Sequence, residues 1–114
     1  MKNLKTPKTI DQAVLNILML PDIEVLKNNN PIDFHHSAGR QIRNEWKLWD
    51  KESNLHKEFN AIGIFHADDM SEIIFDTAHR IINGKTVDLV GQVKYYQSYW
   101  FKAGFDTKGN KLDD

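Results

Sequence analysis

Apolar residues recur at three- and four-residue spacing between Met70 and Ile82, and this pattern constrains the fold more than any other feature of the chain. They cover nearly half of a helix circumference: Met70, Ile73, Ile74, Thr77, Ala78, Ile81 and Ile82. A helix with so wide an apolar face must pack against several neighbours. We therefore predict a central helix from about Asp69 to Asn83, capped by Asp68 and ended by Gly84.

Other segments carry narrower apolar stripes and helix boundary signals. Thr9 and Gln12 form a capping-box pair, which predicts a first helix from Ile10 that ends before Pro21. A second short helix is predicted over residues 21–26, followed by a loop over residues 27–31. The apolar arc of residues 33–49 predicts a longer helix, and its members are His35, Ala38, Gly39, Ile42, Trp46 and Trp49.

Two further helices complete the predicted fold. Ser53 or Asp50 can cap a short helix that Gly63 ends in a left-handed conformation. Asp88 or Thr86 can begin the last helix, in which Leu89, Val93, Tyr96 and Trp100 share a face. No segment has the two-residue period of a strand. The sequence thus predicts an all-α, compact single-domain bundle of about five helices.

Length and composition limit the function classes. The 114 residues suit one domain, which we divide into an N-terminal extension (1–8), a helical domain (9–101) and a flexible C-terminal tail (102–114). Cysteine is absent, which excludes disulfides and thiolate chemistry and favours a cytoplasmic location. The net charge of −1 predicts no broad basic surface for DNA, and no segment is typical of a membrane span. We expect no cofactor.

The helix around residues 33–49 carries the first candidate site. His35 lies within its apolar arc, beside a stripe that contains Arg43, and Asn44 and Trp46 follow. An arginine and a histidine next to an indole can bind an anion or a carbonyl group. The alternative is a hydrogen-bonded core histidine beside a solvated basic face. We place His56 and His79, outside this site, on the surface.

The predicted start of the central helix carries the second candidate site, with His66, Asp68, Asp69 and Ser71. Helix capping and the helix dipole explain both aspartates without any function. The functional alternative is a metal site, because imidazole and carboxylate groups suit zinc, manganese or iron. No phosphate-binding glycine loop, serine elbow or metalloprotease motif is present.

Aromatic residues crowd the end of the last predicted helix, where five of seven residues are Tyr, Trp or Phe. One helix face cannot bury all of them. Tyr95 and Phe101 point away from the core arc, which favours either a homodimer contact or packing under the N-terminal segment.

Taken in order, these residues resemble a family of small bacterial domains of unknown function. The resemblance rests on Phe34-His35, Gly39, Ile42-Arg43-Asn44, Trp46, Leu48-Trp49, Ser53, Leu55, Phe59, Gly63, His66, Asp68-Asp69-Met70-Ser71 and Ile74, and it runs from about Thr9 to Trp100. Ala67 stands where we expect proline in this family. The resemblance implies that both candidate sites belong to one motif, but it implies no activity.

Three functions are consistent with these patterns. The first is a non-enzymatic binding or interaction protein, either an immunity- or inhibitor-type protein with a protein partner or a binder of an anionic small ligand such as a nucleotide. The second is a metal-dependent hydrolase that uses His35, His66, Asp68 and Asp69 around one ion. The third is a structural accessory whose aromatic last helix docks onto a larger assembly.

Overall fold

The central helix of the fold is surrounded by other helices, as its wide apolar face predicts. A computed structural model describes residues 6–20, 23–24 and 38–112, and this part of the chain contains five α-helices and no β-sheet. The helices are α1 (Ile10–Leu18), α2 (Ala38–Glu45), α3 (Asn54–Ala61), α4 (Ala67–Ile82) and α5 (Leu89–Lys102). Helix α4 packs against α1, α2 and α5. The prediction of an all-α bundle is confirmed.

Helix α1 begins where the capping signal predicts. The Thr9 hydroxyl accepts a hydrogen bond from the Gln12 amide at 3.1 Å. The Gln12 side chain reaches one residue further back than a capping box requires, and accepts the Lys8 amide at 2.9 Å. Glu58 of α3 accepts the Ile10 amide, which ties the start of α1 to its neighbour. The short helix predicted over residues 21–26 lies mostly outside the described residues, of which Ile23 and Glu24 are helical.

Helix α2 ends at Glu45, four residues earlier than predicted. Lys47 adopts a positive φ of 51°, and the Leu48 amide donates to the Arg43 carbonyl at 3.0 Å, as in a left-handed helix end. This reversal of the chain direction buries Leu48 and leaves Trp49 60% exposed. The prediction that Trp49 faces the core is therefore wrong. The predicted start of this helix, with His35, lies outside the described residues.

Helix α3 follows its predicted boundaries. The Ser53 hydroxyl accepts the His56 amide at 3.2 Å, and Gly63 has a φ of 90° just beyond the end of the helix. His56 is buried, which corrects the surface position we predicted for it. Its Nδ1 pairs with the Leu48 carbonyl, so the early end of α2 supplies the partner that a buried imidazole needs.

The core forms one cluster around α4. Its members are Ile10, Ala13, Val14, Ile17, Ile42, Trp46, Leu48, Leu55, Phe59, Ile64, Met70, Ile73, Ile74, Phe75 and Ala78. Ile81 is 42% exposed, whereas Ile82 in the same turn of α4 is partly buried against the cluster. The predicted place of Ile81 in the core is wrong. Leu89, Val93 and Tyr96 of α5 are partly buried against the cluster.

A turn follows α5 and folds back beside it. The Leu112 amide donates to the Gly104 carbonyl at 2.7 Å, and Asp106 Oδ1 accepts the amides of Lys108 and Asn110. These hydrogen bonds to the charged form hold the pKa of Asp106 below its usual range. The flexible tail over residues 102–114 stays a prediction about dynamics. No helix in the described part of the chain is long and apolar enough to cross a membrane.

Candidate functional site

His66, not Asp68, caps the start of α4. The helix begins at Ala67, and His66 Nδ1 accepts the Asp68 amide at 3.1 Å. This bond requires an unprotonated Nδ1, so the neutral ring carries its proton on Nε2. The predicted cap was wrong because the helix starts two residues earlier than expected. Asp68 and Asp69 consequently both lie in the first turn, where the helix dipole favours negative charge.

Asp68 belongs instead to a polar network that joins α2 to α4. Arg43 Nε lies 3.1 Å from Asp68 Oδ1, and Arg43 Nη1 donates to the Ser71 hydroxyl at 2.9 Å. Ser71 in turn donates to the Asp68 carbonyl at 2.9 Å. We call these three residues the Arg43 clamp. The Arg43 side chain is only 13% exposed, so its guanidinium is committed to holding the two helices together.

Asp69 lies on the other side of the helix start and faces α5. Trp100 Nε1 donates to Asp69 Oδ2 at 2.7 Å, and the His66 ring stacks on the Trp100 indole with 5.4 Å between centroids. Asp69 is only 9% exposed. Burial raises the pKa of Asp69, and the Trp100 hydrogen bond offsets only part of that rise.

Glu72, one turn further along α4, is also held by an aromatic donor. Tyr96 donates its hydroxyl to Glu72 Oε2 at 2.6 Å. Burial, reinforced by this bond and by the Glu72 charge, raises the pKa of Tyr96 far above its usual value. Tyr96 therefore stays protonated and acts as a donor at any physiological pH.

A groove of about 310 Å³ opens between the start of α4 and the facing side of α5. We call it the α4–α5 groove, and its lining combines three carboxylates with a set of aromatic rings: His66, Asp68, Asp69, Glu72, Tyr95, Tyr96, Tyr99 and Trp100. Tyr95 and Tyr99 are more than half exposed at its rim. Aromatic rings meet edge to face on both sides, in the Tyr95–Tyr96 and Tyr99–Trp100 pairs.

The structure brings together five of the eight predicted site residues: Arg43, His66, Asp68, Asp69 and Ser71. Trp46 instead lies in the core, and no residue in the described ranges pairs with its indole nitrogen. Asn44 is exposed on the surface of α2. His35 lies outside the described residues.

Sequence reasoning missed the contribution of Glu72, Tyr96 and Trp100 to this region. Two spacings could have indicated it, because Asp69 and Glu72 are three residues apart and Tyr96 and Trp100 are four apart. Each pair therefore shares one helix face. The spacing does not predict that these two helix faces pack against each other.

The metal site predicted as an alternative finds no support in the described residues, among which no three His, Asp or Glu side chains converge on one point. His66 Nδ1 accepts a backbone amide, and Asp68 is already paired with Arg43 through Oδ1. His35 was the fourth predicted ligand and is not described.

Comparison with known proteins identifies a family for this chain. No curated protein sequence and no solved structure gives a significant match. A family model described as a domain of unknown function (DUF6794) matches residues 6–81, which contain α1 to α3 and all of α4 except its last residue. The Arg43 clamp, His66 and Asp69 lie within the match, and α5 lies beyond it. The match spans about two thirds of the chain, and the protein therefore belongs to this family of unknown function.

Proposed function

We propose that the protein is a non-enzymatic binding protein whose binding site is the α4–α5 groove. One observation carries this proposal: two acidic side chains at the groove are held in place by aromatic donors, Asp69 by Trp100 and Glu72 by Tyr96. Groups fixed before a ligand arrives lose little conformational freedom on binding. A concave site with aromatic walls and a few oriented polar groups is typical of ligand pockets.

The Arg43 clamp holds one of its members, Asp68, at the lining of the groove, whereas Arg43 itself lies outside that lining. Arg43 engages Asp68 and Ser71 and does not line the groove. The geometry thus gives little support to the anionic ligand, such as a nucleotide, that the sequence suggested. An immunity- or inhibitor-type protein that engages a protein partner through this groove fits the geometry better.

A metal-dependent hydrolase is the less favoured alternative. That activity needs a metal held by several side chains and an activated water. The described residues offer no such cluster, and two of the carboxylates in the groove, Glu72 and Asp69, each already accept a hydrogen bond from an aromatic donor.

The test is a ligand screen of the folded protein by ¹H–¹⁵N correlation spectroscopy, with a panel of phosphate, AMP, n-butylammonium and n-butanol. We expect at least one probe to shift groove signals saturably. Tyr99→Ala should weaken that response, whereas Phe101→Ala, an exposed aromatic on the same helix outside the groove, should not. Absence of any groove response would reject the proposal, and conversion of a probe to product would favour an enzyme.

We also propose a homodimer through α5 as a second role for its exposed aromatic residues. None of the residues of α5 is fully buried, and Tyr95, Tyr99 and Phe101 are each more than half exposed. Sedimentation velocity at increasing concentration should then reveal a dimer that Phe101→Ser weakens. A monomer throughout the concentration range would contradict this role.

A further inference from the structure

We propose that the α4–α5 groove recognises an organic cation that carries N–H donors, an alkylammonium or guanidinium group. This inference rests on the proposed binding function and names the chemical class of the ligand. It follows from three separate properties of the groove: the charge of its lining, the state of its most buried carboxylate and the orientation of its aromatic rings.

The lining has a clear excess of negative charge. Three carboxylates line the groove, and neither lysine nor arginine is among the lining residues that the structure describes. Arg43 pairs with Asp68 from outside the groove, and Asp69 and Glu72 accept hydrogen bonds from Trp100 and Tyr96. Among the described lining residues, His66 alone can become cationic, and its Nδ1 already accepts the Asp68 amide.

Asp69 is a buried carboxylate that has only part of the compensation it needs. Trp100 donates to Oδ2, whereas Oδ1 accepts no hydrogen bond from a residue in the described ranges and is reached by solvent from the groove. With 9% of its surface exposed, Asp69 has lost most of its hydration. A buried carboxylate is costly unless it is paired and hydrogen-bonded. An incoming N–H cation would supply both the opposite charge and the missing donor.

Besides the carboxylates, the aromatic rings of the groove can also bind a cation. Tyr99 meets Trp100 at an interplanar angle of 88°, and Tyr95 meets Tyr96 at 84°. Tyr95 and Tyr99 are more than half exposed, so their ring faces, which carry the negative part of the ring quadrupole, are open to a ligand, whereas the Trp100 indole is already stacked by His66. Such faces attract ammonium and guanidinium groups, and most strongly where water is excluded.

This combination distinguishes an organic cation from other ligands. A metal ion requires several ligand atoms around one point, and the described residues provide no such group. An anion would face three carboxylates, and neither lysine nor arginine is among the described lining residues to bind it. A quaternary ammonium ion would satisfy the rings but would donate no hydrogen bond to Asp69, so we expect it to bind more weakly than a primary amine.

The experiment titrates the folded protein with n-butylammonium and n-butylguanidinium and follows the indole N–H signal of Trp100. We expect saturable shifts with both cations, a weaker response to tetramethylammonium, and none with n-butanol. Asp69→Asn and Glu72→Gln keep similar shapes and remove charge, and each should weaken binding at least about tenfold. Glu52→Gln removes the same charge at a surface position outside the groove and should leave binding unchanged.

The outcomes separate this inference from the proposed function. A groove response to phosphate or AMP but not to the cations would keep the binding function and overturn the cation assignment. An equal response to n-butanol would do the same, because it would indicate a merely apolar site. No groove response to any probe would reject both. Circular dichroism of each variant establishes that it is folded.

A last comparison tests whether the natural cation is a free amine or a lysine side chain of a protein partner. A blocked tripeptide with a central lysine is compared with n-butylammonium at equal concentration. Tighter binding of the peptide indicates a side chain of a protein partner as the natural occupant. Tighter binding of the free amine indicates a small molecule. Both results support the cation site.

Discussion

Two isoleucines of α4 show that the position of a side chain along a helix determines how much it contributes to the free energy of unfolding. Ile74 and Ile81 are seven residues apart on the same face, yet Ile74 is fully buried and Ile81 is 42% exposed. We expect Ile74→Ala to lower the free energy of unfolding by about 2–5 kcal/mol, because burial is lost and a cavity remains. The matched variant Ile81→Ala should cost less than about 1 kcal/mol. Urea denaturation measures both, and equal losses would contradict the burial pattern.

The raised pKa of Asp69 predicts how the stability of the protein depends on pH. Burial raises the folded-state pKa of this carboxyl, and the neighbouring charges of Glu72 and Asp68 add to that rise. The folded protein therefore binds this proton more tightly than the unfolded chain, and the contribution of Asp69 to stability falls as the pH rises above the ordinary value of 3.8. Asp69→Asn should remove this loss, so its stability relative to wild type should increase with pH across that window. Parallel stability curves for the two proteins would show that the pKa is not raised.

At the scale of elements, the Arg43 clamp joins α2 to α4. Asp68 is half exposed, so removal of Arg43 would leave a carboxylate that water can reach. We expect Arg43→Ala to cost about 1–2 kcal/mol, more than a surface ion pair and less than a fully buried one. Arg40→Ala, an exposed arginine on the same helix, should change stability by less than about 0.5 kcal/mol.

A double-mutant cycle that combines Arg43→Ala with Asp68→Ala measures the interaction energy between these two side chains. A coupling energy near zero between Arg43 and Asp68 would mean that the clamp contributes nothing as a pair. Arg43→Lys keeps the charge but loses the planar fork that reaches both Asp68 and Ser71, and should recover only part of the stability.

The ends of α3 and α4 provide a matched pair of glycines. Gly63 and Gly84 have φ angles of 90° and 70°, which strain any residue with a Cβ atom. A Cβ at Gly63 would also meet the amide end of the flexible Gln97 side chain of α5, which can move aside at the cost of its hydrogen bond to the Ile62 carbonyl, whereas a Cβ at Gly84 would meet open space. Gly84→Ala should therefore cost about 1–2 kcal/mol and Gly63→Ala more. Adding Gln97→Ala should bring the two losses together. If Gly63→Ala stays costlier in that background, the contact with Gln97 is not the cause.

For the molecule as a whole, every apolar segment long enough to judge has a helical period, and the described residues contain no sheet. The far-ultraviolet circular dichroism spectrum should show the paired minima of helix and lose them in one cooperative transition on heating. A spectrum dominated by strand would contradict the fold class.

Much of this architecture could be predicted because its signals are local. The Thr9, Ser53 and Asp88 caps, the glycine ends at Gly63 and Gly84, and the stripe around Ile74 each depend on residues within one or two turns. Two predictions were wrong because they depended on a turn between helices that no local signal indicated. Trp49 was placed in the core because nothing local marked the left-handed turn at Lys47. His56 was placed on the surface because its partner, the Leu48 carbonyl, lies on that same turn.

The candidate site divides in the same way. The sequence by itself determined which residues carry polar chemistry near the start of α4, because helix period and helix-end preferences are properties of short segments. Only the tertiary structure decided that Arg43 engages Asp68 rather than a ligand, and that Trp100 and Tyr96 hold Asp69 and Glu72. Those pairings join residues 24–31 positions apart, and they form only because the apolar faces of α2, α4 and α5 pack against one core.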